Sequence, residues 1–385
     1  ETESGGAAVP RLVSRITGII SGRLTIRKFW LTHGNPKMIR AIQKSPIRKR
    51  AIARSAALIF CCAIAILAAG GFRDETPYRY FRVVNPPAPH HSHVRSGFAL
   101  MGGGTDLDDA FSWLCDGAGG GDFLILRARG DDAYNPYVNQ LCKLSSVATL
   151  VIPNREAAES PFVAQTIRAA SVIFIAGGDQ ANYINFWRGT PVQTAVNDAI
   201  KRGIPIGGTS AGLAIQGEFA YTAQNDLADG PDLSSRETLA DPFFFRVTIV
   251  RGFLQIPTLA ATITDSHFSA RDRLGRLLTF MARILEAGDV ASIRGIGVDE
   301  RTAVLLESDG NARVVGAGAA YFLSASGKPS VCKKGVPLTF EGVAARRLRA
   351  NAKFDLREWE GDGDAYTLSV RAGTMISSQS GGSAY

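Results

Sequence analysis

The sequence predicts an α/β fold with a doubly wound, mostly parallel sheet in three layers. Short apolar runs recur about every 25 to 30 residues, which leaves room for a helix between them. Helix signals occupy these intervals: one at 105–108 with a Thr and two Asp, and one at Thr190-Pro191. The apolar runs are 98–101, 123–126, 147–152, 171–176 and 204–206.

Later elements follow the same logic. Apolar residues at helical spacing predict that the helix from Thr190 to Gly203 packs one face on the sheet. Residues 273–285 predict a strong amphipathic helix, and 294–299 and 303–308 predict strands. From Pro337 onwards the pattern predicts a small β-rich extension.

The basic charge is confined to the N-terminal part. Residues 1–72 hold 12 Lys and Arg against two Glu, whereas the remaining 313 residues hold 31 basic and 33 acidic side chains. Nucleic-acid binding is therefore not expected, because the body has no basic excess to neutralise phosphates.

The N-terminal segment has the pattern of an export signal or a membrane anchor. Basic residues 48–54 precede the apolar run 56–72, which is short for a membrane span and ends among small residues. This favours a signal peptide over a signal anchor in the membrane, and a secreted or extracytoplasmic protein over a membrane-anchored one. Because residues 1–44 are rich in Arg and poor in acids, an organelle-targeting leader is a further alternative.

The domain prediction follows from these patterns. Residues 1–72 form the leader, 73–97 a linker, 98–325 the catalytic domain and 326–385 an accessory segment; a homodimer is left open. The linker's His90, His91 and His93 have no Cys or acid nearby, so no metal and no cofactor are expected. For an exported body, Cys115 and Cys142 are the expected disulfide pair.

The central motif is IPIGGTSAGLA at 204–214, a strand leading through Gly208-Thr209-Ser210-Ala211-Gly212 into a helix. This context is the one that a Gly-x-Ser-x-Gly nucleophile elbow requires. Glycines on both sides of Ser210 allow a sharp turn and a close approach of helix to strand. Ser210 is thus the candidate nucleophile.

A serine nucleophile needs a base and an acid. His267 is the one histidine after the linker, so a Ser–His pair within the domain must use it. Asp299 and Glu300 follow a predicted strand, and Asp265 lies two residues before His267. The residues alone do not choose among these acids.

Backbone amides should stabilise the oxyanion. One amide is that of Ala211, directly after the nucleophile, and a second is expected from the Gly177-Gly178 turn, with Gly178 as the donor. The Gly102-Gly103-Gly104 turn competes for this role, although it equally predicts a tight connection between strand and helix.

Four motifs in the same order resemble the cyanophycinase and dipeptidase E family of serine peptidases. They are AGGDQ at 176–180, GGTSAGLA at 207–214, DSHFSARDRLGR at 265–276 and GIGVDERTA at 295–303. The resemblance covers about residues 98–325 and implies a class I glutamine-amidotransferase-like fold. It also implies a catalytic triad of Ser210, His267 and Glu300.

The resemblance further implies a pocket for an aspartyl peptide substrate. Its lining residues are Gln180, Asp265, Arg271, Arg273 and Arg276. Guanidinium groups suit a free carboxylate of such a substrate. Two positions depart from the family pattern: Ser266 replaces a usual Gln, and Ile184 replaces a pocket Lys.

The expected function is hydrolysis of aspartyl peptide or isopeptide bonds, closer to cyanophycinases than to α-aspartyl dipeptidases. A non-catalytic binding module on the same fold is the alternative from another class. An α/β-hydrolase esterase is disfavoured, because its acid precedes its histidine. A glutamine amidotransferase is disfavoured because it would need Cys in place of Ser210.

Overall fold

The computed structural model describes residues 76–86, 95–226 and 230–385. The leader, its apolar run at 56–72 and the histidine cluster of the linker lie outside these ranges. In the described part of the chain, no helix is long and apolar enough to cross a membrane.

The described residues form nineteen strands and nine α-helices. The strands are β1 (Arg79–Val84), β2 (Gly97–Met101), β3 (Asp122–Arg127), β4 (Ser146–Val151), β5 (Val172–Ile175), β6 (Ile206–Thr209), β7 (Phe219–Tyr221), β8 (Ile249–Arg251), β9 (Thr262–Asp265), β10 (Ser292–Val298), β11 (Thr302–Glu307), β12 (Asn311–Gly316), β13 (Ala319–Ser326), β14 (Val331–Lys333), β15 (Val336–Arg349), β16 (Lys353–Asp355), β17 (Glu360–Gly361), β18 (Asp364–Arg371) and β19 (Thr374–Ser377). The helices are α1 (Asp108–Gly117), α2 (Tyr134–Leu141), α3 (Arg155–Glu159), α4 (Pro161–Ala169), α5 (Gln180–Trp187), α6 (Pro191–Lys201), α7 (Ala211–Ala214), α8 (Ser235–Ala240) and α9 (Leu274–Ala287).

The first sheet has the strand order β1-β4-β3-β5-β6-β2-β11-β12-β16-β17. Its five strands from β4 to β2 run parallel, and antiparallel strands extend it on both sides. Side chains of β2 alternate between two hydrophobic cores: Phe98 and Leu100 enter one, whereas Ala99 and Met101 enter the other. Both faces of the central strands are therefore buried, as parallel sheets require.

The second sheet has the order β19-β18-β15-β13-β10-β9-β7-β8. Strands β7, β9 and β10 run parallel in it, and the others are antiparallel. Ile296 and Phe322 pack into the core that Leu100 and Val304 of the first sheet also share. Helix α9 packs on its other face through Leu277, Phe280 and neighbouring residues.

The predicted fold class is confirmed: parallel strands alternate with helices, and the C-terminal part is β-rich. The strand predicted at 204–206 lies at Ile206–Thr209, and α9 starts one residue after the predicted 273. The Thr190 hydroxyl accepts a hydrogen bond from the Val192 amide and caps α6, as the pattern predicted.

Two predictions of organisation need revision. Residues 73–97 are not a linker throughout, because Arg79–Val84 form β1 and pair antiparallel with β4. Aromatic and β-branched residues favour this strand, and its two arginines suit an exposed sheet edge. The segment from 326 onwards does not stand apart, because its strands join both sheets.

The expected disulfide is present between Cys115 of α1 and Cys142 after α2. It links two residues 27 positions apart. Closing a loop of this length in the unfolded chain stabilises a protein by about 3–4 kcal/mol in the chain-entropy model. The bond thus secures the helices on one face of the first sheet.

Candidate active site

Ser210 lies in a strained turn between β6 and α7. Its φ is 54°, in the left-handed region, and its amide donates a hydrogen bond to the Met101 carbonyl at 3.0 Å. A Cβ added at Gly208 would approach the Gly212 carbonyl oxygen to 2.5 Å, and one at Gly212 would approach the Ile175 carbonyl oxygen to 2.0 Å. Both glycines are therefore needed for the sharp turn that the sequence predicted.

His267 follows β9 of the second sheet and faces Ser210 of the first. Its Nε2 lies 2.7 Å from the Ser210 hydroxyl oxygen. Its φ of 48° turns the chain away from the extended β9, and its amide donates to the Gly102 carbonyl. The imidazole packs on Gly103, where an added Cβ would lie 2.5 Å from the ring.

Glu300 is the acid that contacts the histidine. Its Oε1 lies 2.6 Å from His267 Nδ1, in the short connection between β10 and β11. Asp299 points elsewhere and accepts hydrogen bonds from the amides of Ser269 and Ala319. Asp265 pairs with an arginine instead. The arrangement Ser210–His267–Glu300 is a hydrogen-bonded chain of nucleophile, base and acid.

The surroundings favour the neutral imidazole. Burial lowers the pKa of His267 below its ordinary value, and the charges of Arg271 and Arg273 lower it further, against the opposing effect of Glu300. The hydrogen bond from His267 lowers the pKa of Glu300, which is therefore ionised at neutral pH. A neutral imidazole held by a carboxylate is the form that accepts a proton from serine.

The expected oxyanion donors both lie near the nucleophile. Ala211 is the first residue of α7, and Gly178 lines the same cavity as Ser210. A Cβ added at Gly177 would lie 3.6 Å from Ser210 Cβ, so this turn lies close to the nucleophile. The competing Gly102–Gly104 turn packs against His267 and Glu300, which makes it a support for those side chains.

A polar cavity of about 200 Å³ opens beside Ser210. The predicted residues Gln180, Arg271 and Arg273 line it, together with Ser266. Arg273 donates to both the carbonyl and the hydroxyl oxygen of Ser266, at 3.0 and 3.3 Å. Ser266 thus fixes one guanidinium group of the cavity.

Two of the predicted pocket residues, Asp265 and Arg276, form an ion pair with each other. Arg276 donates to both carboxylate oxygens of Asp265, at 2.7 and 2.6 Å, and to the Leu233 carbonyl. Their side chains are only 2% and 3% exposed. Arg276 lines the cavity but is held by Asp265 behind it, so the pair is not an accessible binding group. The departure at Ile184 is also buried, in the core under α5.

Sequence reasoning missed two further wall residues of the cavity. Asp232 accepts hydrogen bonds from Arg271 and Arg273. Asp226 accepts from the hydroxyl of Tyr221 and from Arg246. Both acids follow β7 in a stretch where the sequence shows no recognisable motif. The one feature that could have pointed to them is the presence of two acids among residues that favour turns.

The size of this cavity would not by itself have identified it as the candidate active site. A larger one of about 600 Å³ lies around Trp113 and Arg95, but its described lining residues include no Ser, His or Cys. Among the described residues, no cluster of three His, Cys, Asp or Glu side chains is arranged to hold a metal ion.

Comparison with known proteins identifies the domain that contains this elbow. Residues 130–245 match the model of peptidase family S51, a range that includes Gln180 and Ser210. This segment of the chain is similar to peptidase family S51. This confirms the resemblance on which the sequence prediction rested, although the matched range ends before His267 and Glu300.

Proteins similar to this chain include several cyanophycinases. The one from Trichormus variabilis is 34% identical over 173 residues, which cover 45% of this chain and 51% of that protein. The one from Synechococcus elongatus is 25% identical over 258 residues, covering 64% of this chain and 74% of that protein. This chain therefore spans about half the length of the Trichormus protein.

Among solved structures, a peptidase from an acI-B1 Actinobacterium aligns with 69% of this chain and 98% of its own, at 18% identity and a TM-score of 0.44.

Proposed function

We propose that the protein is a serine-type peptidase that hydrolyses aspartyl peptide or isopeptide bonds, as cyanophycinase-like enzymes do. The observation that carries this proposal is the chain of contacts from Ser210 through His267 to Glu300, at 2.7 and 2.6 Å. The S51 match and the cyanophycinase relatives support the same reaction class.

The proposed mechanism passes through an acyl-enzyme. His267 Nε2 takes the proton of Ser210, and the serine oxygen attacks the scissile carbonyl carbon while Glu300 stabilises the imidazolium. The amides of Ala211 and Gly178 stabilise the oxyanion. The imidazolium then protonates the leaving amine. In the second half, His267 takes a proton from water, the hydroxide attacks the acyl-enzyme, and the proton returns to Ser210.

The substrate is tested by a panel: β-Asp-Arg polymer, β-Asp-Arg dipeptide and α-Asp-X dipeptides. The small cavity with its arginines suits one aspartyl residue with a free carboxylate, so we expect cleavage of the β-linked substrates, measured by release of free amines. Cleavage of only the α-linked dipeptides would reassign the protein as an aspartyl dipeptidase. No cleavage of any member would favour the non-catalytic binding module.

The pH dependence should report the lowered pKa of His267. Because the neutral imidazole is the active form, kcat/KM should fall as the pH drops through that pKa, which lies below the ordinary value for histidine. Arg271→Gln removes a charge that lowers this pKa, so the acid limb should move to higher pH. Glu300→Gln removes the group that raises the pKa of His267, so the acid limb of the pH profile should move to lower pH, and kcat should also fall.

The control for these profiles is Arg168→Gln, which removes the same charge from an exposed position on α4. Its acid limb should coincide with that of the unaltered protein. Shifts of the same sign in the Arg271 and Glu300 variants would contradict the assignment of His267 as the base.

We further propose that the protein works in an oxidising, extracytoplasmic compartment. The Cys115–Cys142 disulfide supports this, because such bonds persist outside the reducing cytosol. The basic and apolar leader residues are consistent with export, by cleavage or by anchoring at 56–72.

A further inference from the structure

Two arginines that line the cavity beside Ser210, Arg271 and Arg273, share a carboxylate. Asp232 Oδ2 accepts a hydrogen bond from Arg271 Nη1 at 3.0 Å and another from Arg273 Nη2 at 2.6 Å. Asp232 lies between β7 and α8 and lines the same cavity as Ser210. One carboxylate oxygen bound by two guanidinium groups is the geometry in which such a site would hold a ligand carboxylate.

This contact differs from the other acid–base pair of the cavity. The Asp232 side chain is 48% exposed and that of Arg271 is 44% exposed, whereas Asp265 and Arg276 are almost fully buried. The buried pair cannot exchange partners without leaving a charge unpaired in the interior. The exposed contact has water on one side and can exchange its carboxylate for another.

The local charge also favours exchange. Within this cluster two carboxylates face three guanidinium groups, because Asp265 binds Arg276 and also lies 3.5 Å from Arg273, so one positive charge of the cluster is not balanced. Burial raises the pKa of Asp232, but Arg273 and Arg271 outweigh it and bring the pKa to about 2. Asp232 is therefore ionised, and able to compete, at every pH at which the protein is used.

We propose that Asp232 competes with the free carboxylate of an aspartyl substrate for Arg271 and Arg273, and so sets how strongly the site binds that carboxylate. The inference rests on the proposed function for the class of substrate. An anionic group can replace Asp232 on the arginines without loss of charge pairing, whereas a neutral amide cannot. Asp232 thereby lowers the affinity for a carboxylate ligand, which has to displace it and is repelled by its charge, whereas an uncharged analogue that leaves Asp232 in place is affected less.

The test measures binding of succinate, a dicarboxylate with no scissile bond, to the full chain by calorimetry. Asp232→Asn and Asp232→Ala should lower the dissociation constant about five-fold, the usual weight of a partly exposed ion pair. Asp232→Glu should bind succinate like the unaltered protein. Succinate should gain more from Asp232→Ala than the uncharged succinamide does, because the variant also removes a negative charge from beside the ligand.

The matched control is Asp364→Asn. Asp364 forms an ion pair of 2.7 Å with Arg347, outside the cavity. This variant removes the same charge from the protein, so it separates competition at the arginines from a general change in potential. Its affinity for succinate should be unchanged.

Each other outcome overturns the proposal. Weaker succinate binding in Asp232→Ala would mean that Asp232 holds the arginines in position. If Asp232→Ala bound succinate as the unaltered protein does but bound argininamide more weakly, Asp232 would be a residue that recognises a cation. If succinate bound to no variant, the arginines would form no carboxylate subsite. Because succinate is not hydrolysed, failure of the peptidase proposal would appear only in the substrate panel.

Discussion

Replacing Ser210 by alanine should lower kcat/KM for the cleaved aspartyl peptide by about 10⁴-fold or more. The reason is that the covalent pathway is lost, while the oxyanion donors and the cavity remain. The measurement is the initial rate of amine release at several substrate concentrations. His267→Ala should cost a similar factor, and the double variant little more, because the two groups act as one unit.

The control for this prediction is Ser112→Ala, which alters a partly exposed serine of α1 outside the cavity. Its rates should equal those of the unaltered protein. Turnover by Ser210→Ala within ten-fold of the unaltered protein would reject the assignment of the nucleophile.

Replacing Arg276 by methionine should lower the free energy of unfolding by about 3–5 kcal/mol. The substitution keeps much of the side-chain volume but leaves Asp265, which is 3% exposed, without its bidentate partner and with only a contact of 3.5 Å to Arg273. Denaturant unfolding followed by circular dichroism measures the change. Arg357→Met, which breaks the exposed pair with Asp355, should have almost no effect.

A double variant separates the cost of the unpaired charge from the cost of lost packing. Asp265→Leu with Arg276→Met replaces the buried pair by apolar groups, which is often neutral for stability. The double variant should therefore be more stable than Arg276→Met alone. If it were equally unstable, packing of Arg276 on Tyr221 and Phe280 would account for the loss, rather than the charge.

The sequence patterns located the central sheet because its strands are short, apolar and buried on both faces. The sequence patterns did not predict how the C-terminal strands pair. Strands β15 and β18 join one sheet and β16 joins the other, and this depends on contacts between residues far apart in the chain. Strand β1 was missed because it is a half-buried edge strand with prolines nearby.

The elbow motif and the one histidine after the linker pointed to Ser210 and His267 by elimination. The spacing of Asp265 two residues before His267, however, made a candidate of an acid that does not contact the imidazole. Asp265 and His267 would share a face only in an extended chain, and β9 ends at Asp265. The positive φ of His267 then redirects the imidazole toward Glu300. Asp232 could not be found, because no spacing rule connects it with arginines about forty residues away.

The hydrogen-bonded chain of the site also joins the two sheets. Ser210 ends a strand of the first sheet, His267 follows a strand of the second, and Glu300 lies where the chain crosses from the second sheet back to the first. The catalytic rate therefore depends on how closely the two sheets pack against each other. A small separation of the sheets would disconnect nucleophile from base while every helix remained intact, so loss of activity on heating should precede loss of secondary structure.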